Sequence, residues 1–181
     1  MADTVVKFVS QKVSKIRWRP VSHQGLQSSD VFVAGSWDDE QNKISMWKCP
    51  DIKSHSNEEN LSAEQFEPQL LCETLHLGDV TDLKYIDSER LIASSSTGTV
   101  TVYRYHESAK TLSVHHNWEA VHRHPSRKTC ACTCMTLNTP DIVTVGEDGR
   151  IQVLRIEQRY PIRTISEYDY LINVLSYNRM H

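Results

Sequence analysis

Val143-Thr-Val-Gly-Glu-Asp-Gly149 followed by Ile151-Gln-Val-Leu154 reads as two short strands joined by a tight polar turn. The same pattern stands twice more, as Ile92-Ala-Ser-Ser-Ser-Thr-Gly98 with Val100-Thr-Val-Tyr103, and as Val33-Ala-Gly-Ser-Trp-Asp38 with Ile44-Ser-Met-Trp47. Each copy runs from a small-residue strand through a turn into an alternating strand that closes on a large side chain. Apolar–polar alternation is the mark of a half-buried strand. Gly149 supplies the permissive backbone a hairpin needs, and Asp148 can accept hydrogen bonds from turn amides. A repeat of this kind decides the fold before any local reading does.

This repeat is the signature of WD-type blades. It predicts an all-β chain of about three four-stranded antiparallel blades, forming an incomplete, open propeller, whereas roughly 4–8 blades are usual for closure. Residues 1–181 read as a single partial WD-repeat propeller, with blade 1 at about 13–75, blade 2 at about 78–121 and blade 3 at about 129–166. The start of a fourth blade is expected at 170–176. Lys15-Ile-Arg-Trp-Arg19 is expected as the inner strand of blade 1, with a further strand at 5–9. Blade 3 is expected to open with a strand over 130–137. The outer strand of blade 2 is expected over 111–121, irregular near Asn117-Trp118. A polar loop spans 50–68, with a possible short helix at 62–66. The repeats are longer than the ~40–45 residues usual for WD units, and the extra length falls in the outer-strand regions.

Structural blade positions follow. Trp47 and Tyr103 stand at the terminal large position. His76 stands in the turn His-x-Gly-Asp-Val, where WD blades place a histidine, although Leu75 replaces the usual preceding glycine and Thr97 replaces the turn aspartate. The hydrogen-bond network of that blade is therefore expected to be incomplete. In such blades the turn aspartate, here Asp148, reaches a histidine of its own blade.

The chain has 181 residues and a formal net charge of −3, with no apolar run approaching the ~20 residues of a membrane span. This balance gives no electrostatic case for direct nucleic-acid binding or membrane insertion. The N-terminus lacks the charged and apolar regions of a secretory signal. Five cysteines, clustered and odd in number, suit free thiols in a reducing compartment.

Cys130-Ala-Cys-Thr-Cys134 has three readings. Alternate residues of a strand share a face, so small thiols can simply pack a core. A zinc site would more often use a turn with two to four intervening residues. Redox sensing is the third. His122-Arg-His-Pro-Ser-Arg-Lys128 is a basic patch, either solvated or aimed at an acidic partner. Trp37 in a turn, Trp118 in an insertion, Arg123 and Arg127 are candidate partner contacts. No nucleotide loop, catalytic triad or paired-carboxylate site stands out. Neither an enzyme, a cofactor nor a small-molecule substrate is predicted.

Lys7-Phe-Val-Ser-Gln-Lys-Val-Ser-Lys-Ile-Arg-Trp-Arg-Pro20 goes beyond a generic repeat. With Gly35-Ser-Trp-Asp38, Gln69-Leu-Leu-Cys72, Gly78-Asp-Val80, Thr111-Leu-Ser-Val114 and Ile142-Val-Thr-Val-Gly-Glu-Asp-Gly-Arg-Ile151, it resembles the forty-three-kilodalton WD-repeat nucleoporin family. The resemblance covers roughly residues 6–165. It implies a non-enzymatic scaffold subunit of the Y-shaped outer-ring complex of the nuclear pore, partnered by other Y-complex nucleoporins. It implies a nuclear-envelope location, a link to protein and messenger-RNA transport, and kinetochore function in mitosis. The family folds as a seven-bladed propeller. From Ser166 to His181 the sequence departs from the family pattern and stops about midway through that propeller. A truncated, spliced or incomplete product is expected. A generic WD-repeat interaction scaffold outside the pore is the alternative reading. A metal- or redox-responsive domain built on Cys130, Cys132 and Cys134 is a further one.

Overall fold

The computed structural model describes residues 7–21, 29–50, 67–126 and 128–165. They form twelve strands in three four-stranded antiparallel sheets, with no helix among the described residues. Blade 1 contains β1 (Val13–Trp18), β2 (Val31–Ser36), β3 (Lys43–Lys48) and β4 (Gln69–Leu75). Blade 2 contains β5 (Val80–Tyr85), β6 (Arg90–Ser95), β7 (Val100–His106) and β8 (Thr111–Trp118). Blade 3 contains β9 (Cys132–Asn138), β10 (Asp141–Gly146), β11 (Ile151–Arg155) and β12 (Arg163–Ile165). In each sheet the spatial order follows the chain. The inner strands β1, β5 and β9 lie side by side, and the outer strands β4 and β8 also meet. No sheet closes on itself, and the three make an open, WD-like arc.

The repeat read from the sequence is also a repeat of register. Trp47 pairs with Phe32, Tyr103 with Leu91 and Leu154 with Ile142, so the three large residues occupy one place in three blades. Alternation then sorts side chains onto two faces. Val33, Ile44 and Met46 face blade 2 and meet Leu83, Leu91, Ala93 and Tyr103 in one apolar core. Ile92, Val100 and Val102 leave the opposite face of blade 2 and meet Met135, Ile142 and Leu154 in a second core. Stability thus resides between blades, as in stacked repeats.

Each inner strand carries a bulge near its start. Register slips between Val13 and Lys15, between Val80 and Asp82, and opposite Val145/Gly146 in β9, leaving Ser14, Thr81 and Thr133 as the extra residues. Ser14 Oγ donates to Val80 O at 2.6 Å, and Thr81 Oγ1 donates to Cys132 O. The hydroxyl on one bulge therefore reaches the first carbonyl of the next inner strand. Asp82, on β5, reinforces the second junction. Its Oδ2 accepts from Met135 N at 3.1 Å, while its Oδ1 lies 3.4 Å from the Arg17 guanidinium of blade 1.

Several local expectations are corrected. The first inner strand begins at Val13, before Lys15. Residues 7–9 form no strand. Cys130 precedes its strand because Cys130 N donates to His122 O and Arg123 bridges Thr129, folding this stretch back on itself before β9 starts. The outer strand of blade 2 ends at Trp118, and its irregularity falls at His115, where register slips opposite Val102/Tyr103. The expected helix at 62–66 and fourth-blade start at 170–176 lie outside the described residues.

Candidate functional site

The entry segment and hairpin turn of blade 3 build the best-connected polar cluster. Gly149 takes a φ of +71°, a left-handed value that favours glycine, and its amide donates to Gly146 O. The turn so formed presents Asp148. Asp148 Oδ1 accepts from Arg150 N at 3.1 Å and lies 2.9 Å from His122 Nδ1, and Oδ2 accepts from Arg123 N at 2.9 Å. His122 Nε2 lies 2.9 Å from Thr144 Oγ1 on β10. Burial outweighs the opposing pull of Asp148 and holds His122 below its ordinary pKa. The neutral ring therefore donates from Nδ1 to the carboxylate and accepts the Thr144 hydroxyl at Nε2. Gly146 makes room for it, since a Cβ there would sit 2.4 Å from His122 Cγ.

A histidine between a carboxylate and a hydroxyl has the parts of an acid–base device. Here His122 is fully buried with both nitrogens engaged. The arrangement pins the entry segment of blade 3 onto its hairpin. His122 had been grouped with the basic patch by its sequence neighbours, and that expectation of a solvated or partner-facing side chain is corrected for this residue.

Blade 2 solves the same problem with fewer partners. His76 Nδ1 lies 2.8 Å from the Tyr103 hydroxyl, and its Nε2 is buried without a hydrogen-bond partner. Burial pushes His76 down to about 4 and the Tyr103 phenol up to about 12. Thr97 turns to Ser95 and Thr99 instead of the histidine. Ala93 takes the β6 position that Thr144 takes in β10.

The candidate contact residues separate. Trp37 is 45% exposed, with Lys12 Nζ 5.6 Å from its ring centroid. Arg123 is exposed, its Nε donating to Ala120 O at 3.2 Å. Trp118, expected at the surface, is buried in the core between blades 2 and 3, and its indole N–H donates to Gln158 O at 2.8 Å. Arg127 lies outside the described residues. Trp47 is buried on its sheet.

The cysteines do not act as one group. Cys132 is in the inter-blade core, and burial pushes its thiol up to about 12. Redox sensing needs a thiolate, which this environment opposes. Burial also raises Cys130. Cys134 points toward Asp82, Sγ to Oδ2 3.8 Å. Among the described residues no group of three His, Cys, Asp or Glu side chains could hold a metal ion.

No protein-family model matches the chain. It is 44% identical over 174 residues to the mouse (Mus musculus) protein Nucleoporin Nup43, across 93% of this chain and 45% of that protein. The human (Homo sapiens) Nucleoporin Nup43 matches with the same identity and coverage. The chain thus spans less than half the length of these curated relatives. With three WD-type blades and this similarity together, the chain is similar to the N-terminal 45% of Nucleoporin Nup43.

Proposed function

We propose that this chain acts as a non-enzymatic scaffold subunit of the nuclear pore, held by other nucleoporins of the Y complex at the nuclear envelope. In that role it supports protein and messenger-RNA transport and, during mitosis, kinetochore function. The observation that carries the reading is the similarity to Nucleoporin Nup43 across 93% of the chain. The cluster that most resembles catalytic machinery, His122–Asp148–Thr144, is spent on joining a segment to its own hairpin. Rigid blades with exposed Trp37 and Arg123 suit protein contact.

The test is affinity capture of the tagged 181-residue chain, read by mass spectrometry and paired with imaging of the nuclear rim. Selective recovery of Y-complex subunits with rim staining supports the reading. Recovery of unrelated cytosolic assemblies without rim staining replaces it with a generic WD-repeat scaffold.

A further inference from the structure

The connection between blades 2 and 3 makes an excursion that neither sheet uses. Within it, Arg123-His-Pro-Ser126 places an arginine three residues before a serine. Among the described residues, Ser126 is the only serine or threonine with an arginine at that spacing. It is exposed at a turn, and its hydroxyl has no hydrogen-bond partner among the described residues.

The turn itself is lightly tied. Arg123 bridges Thr129, and His124 N donates to Lys128 O at 2.9 Å. The firm anchors lie on either side of it. Before the turn, His122 is held by Asp148 and Thr144, and Arg123 N donates to Asp148 Oδ2. After it, Cys130 N donates to His122 O, and Ala131 N donates to Glu147 Oε2 at 3.2 Å. Opening residues 124–128 therefore costs the bridge and one further hydrogen bond, and leaves blade 3 pinned. Asp148 takes Arg123 by its amide, so the side chain stays exposed, with Nε on Ala120 O.

We propose that Ser126 is a phosphoacceptor for a serine/threonine kinase of the class that reads an arginine three residues ahead of its target, with Arg123 as that arginine. Ser126 Oγ attacks the γ-phosphorus of ATP held by the kinase. The new Oγ–P bond forms as the bond from that phosphorus to the β–γ bridging oxygen breaks. ADP leaves with the electron pair, and the hydroxyl proton passes to the carboxylate base of the kinase. The added group carries a charge of about −1.5 to −2 at pH 7. Exposed Arg123 and Lys128, with no carboxylate partner among the described residues, then compensate it. A basic loop open to an acidic partner becomes one whose charge is met internally. The kinase reads the loop alone, so the site does not depend on a nuclear-pore function.

Incubation of the full chain with ATP and the catalytic domain of calmodulin-dependent protein kinase, an arginine-directed probe, tests the site by peptide mass spectrometry. Phosphate is expected on Ser126 and is absent from that peptide in Ser126→Ala. Arg123→Gln is expected to slow incorporation about tenfold, the loss of one charge-assisted contact. A synthetic peptide of residues 119–131 runs in parallel. Modification of the peptide without modification of the folded chain means that the turn does not open, which overturns the proposal. So does a peptide that takes no phosphate, or a chain modified only at Ser22 or Ser166, the other serines with an arginine at that spacing. Phosphorus NMR then reads the pairing. The phosphate of the folded chain is expected to titrate at lower pH than that of the urea-unfolded chain, because nearby cations favour the dianion. Equal midpoints overturn the compensated loop.

Discussion

His76 and His122 enter blades 2 and 3 at equivalent places, and their surroundings give them different vulnerabilities. Burial lowers both, with His76 brought from 6.5 to about 4. Across that window the unfolded chain binds a proton that the folded chain refuses. Stability is therefore full above pH 6.5 and falls as the pH drops toward 4, by on the order of 3 kcal/mol for His76 alone. A thermal midpoint that declines over this range, and declines less in His76→Gln, is the expected result; a flat midpoint contradicts it. Gly146→Ala should cost about 2 kcal/mol in denaturant titrations, because its Cβ would collide with the His122 ring. Asp148 and Gly149 were legible in the sequence because a polar turn between alternating strands is a local signal. His122 was not. Val121 precedes it, and His115, His116 and His124 stand nearby with equal claim. Only the register of β10 and its hairpin selects one of them. Trp118 was misplaced for a related reason: a tryptophan after an irregular outer strand gives no local sign of whether a neighbouring blade covers it.

At the scale of the strands, the inner-strand bulge works as a joint. Ser14→Ala and Thr81→Val each remove one hydroxyl that crosses between blades, and each is expected to cost about 1 kcal/mol by equilibrium unfolding. Asp82→Ala should cost more, about 3 kcal/mol, since it strips the Met135 amide and leaves Arg17 and Lys84 without their shared carboxylate. If Asp82→Ala matches Thr81→Val, the carboxylate is not holding the junction. Paired strands were readable because alternation and turns are properties of neighbours in sequence. The bulges were harder, since one added residue leaves a short strand still apolar at both ends. The shared signal is nonetheless present in Val13-Ser-Lys-Ile16, Val80-Thr-Asp-Leu83 and Cys132-Thr-Cys-Met135, a hydroxyl in second place each time. In the third of these the thiols drew attention as possible ligands and hid the threonine between them.

For the whole molecule, blade 2 is the only sheet with a blade on each side among the described residues. Its amides in β5, β6 and β7 should exchange hydrogen most slowly, and those of β1, β4 and β12 fastest. Exchange mass spectrometry checks this order, and equal protection of β12 and β6 would sink it. The strand order described above also bears on how the chain is made. Each sheet is laid down from its inner to its outer strand with no crossover between sheets. During synthesis the four strands of a blade therefore leave the ribosome as one set, ahead of the neighbour whose packing stabilises them. The face it then shows to the cell stays apolar until the following inner strand emerges. Slow translation across the stretch between Leu75 and Val80 is expected to lengthen that exposure, and greater protease sensitivity of ribosome-bound chains would reveal it.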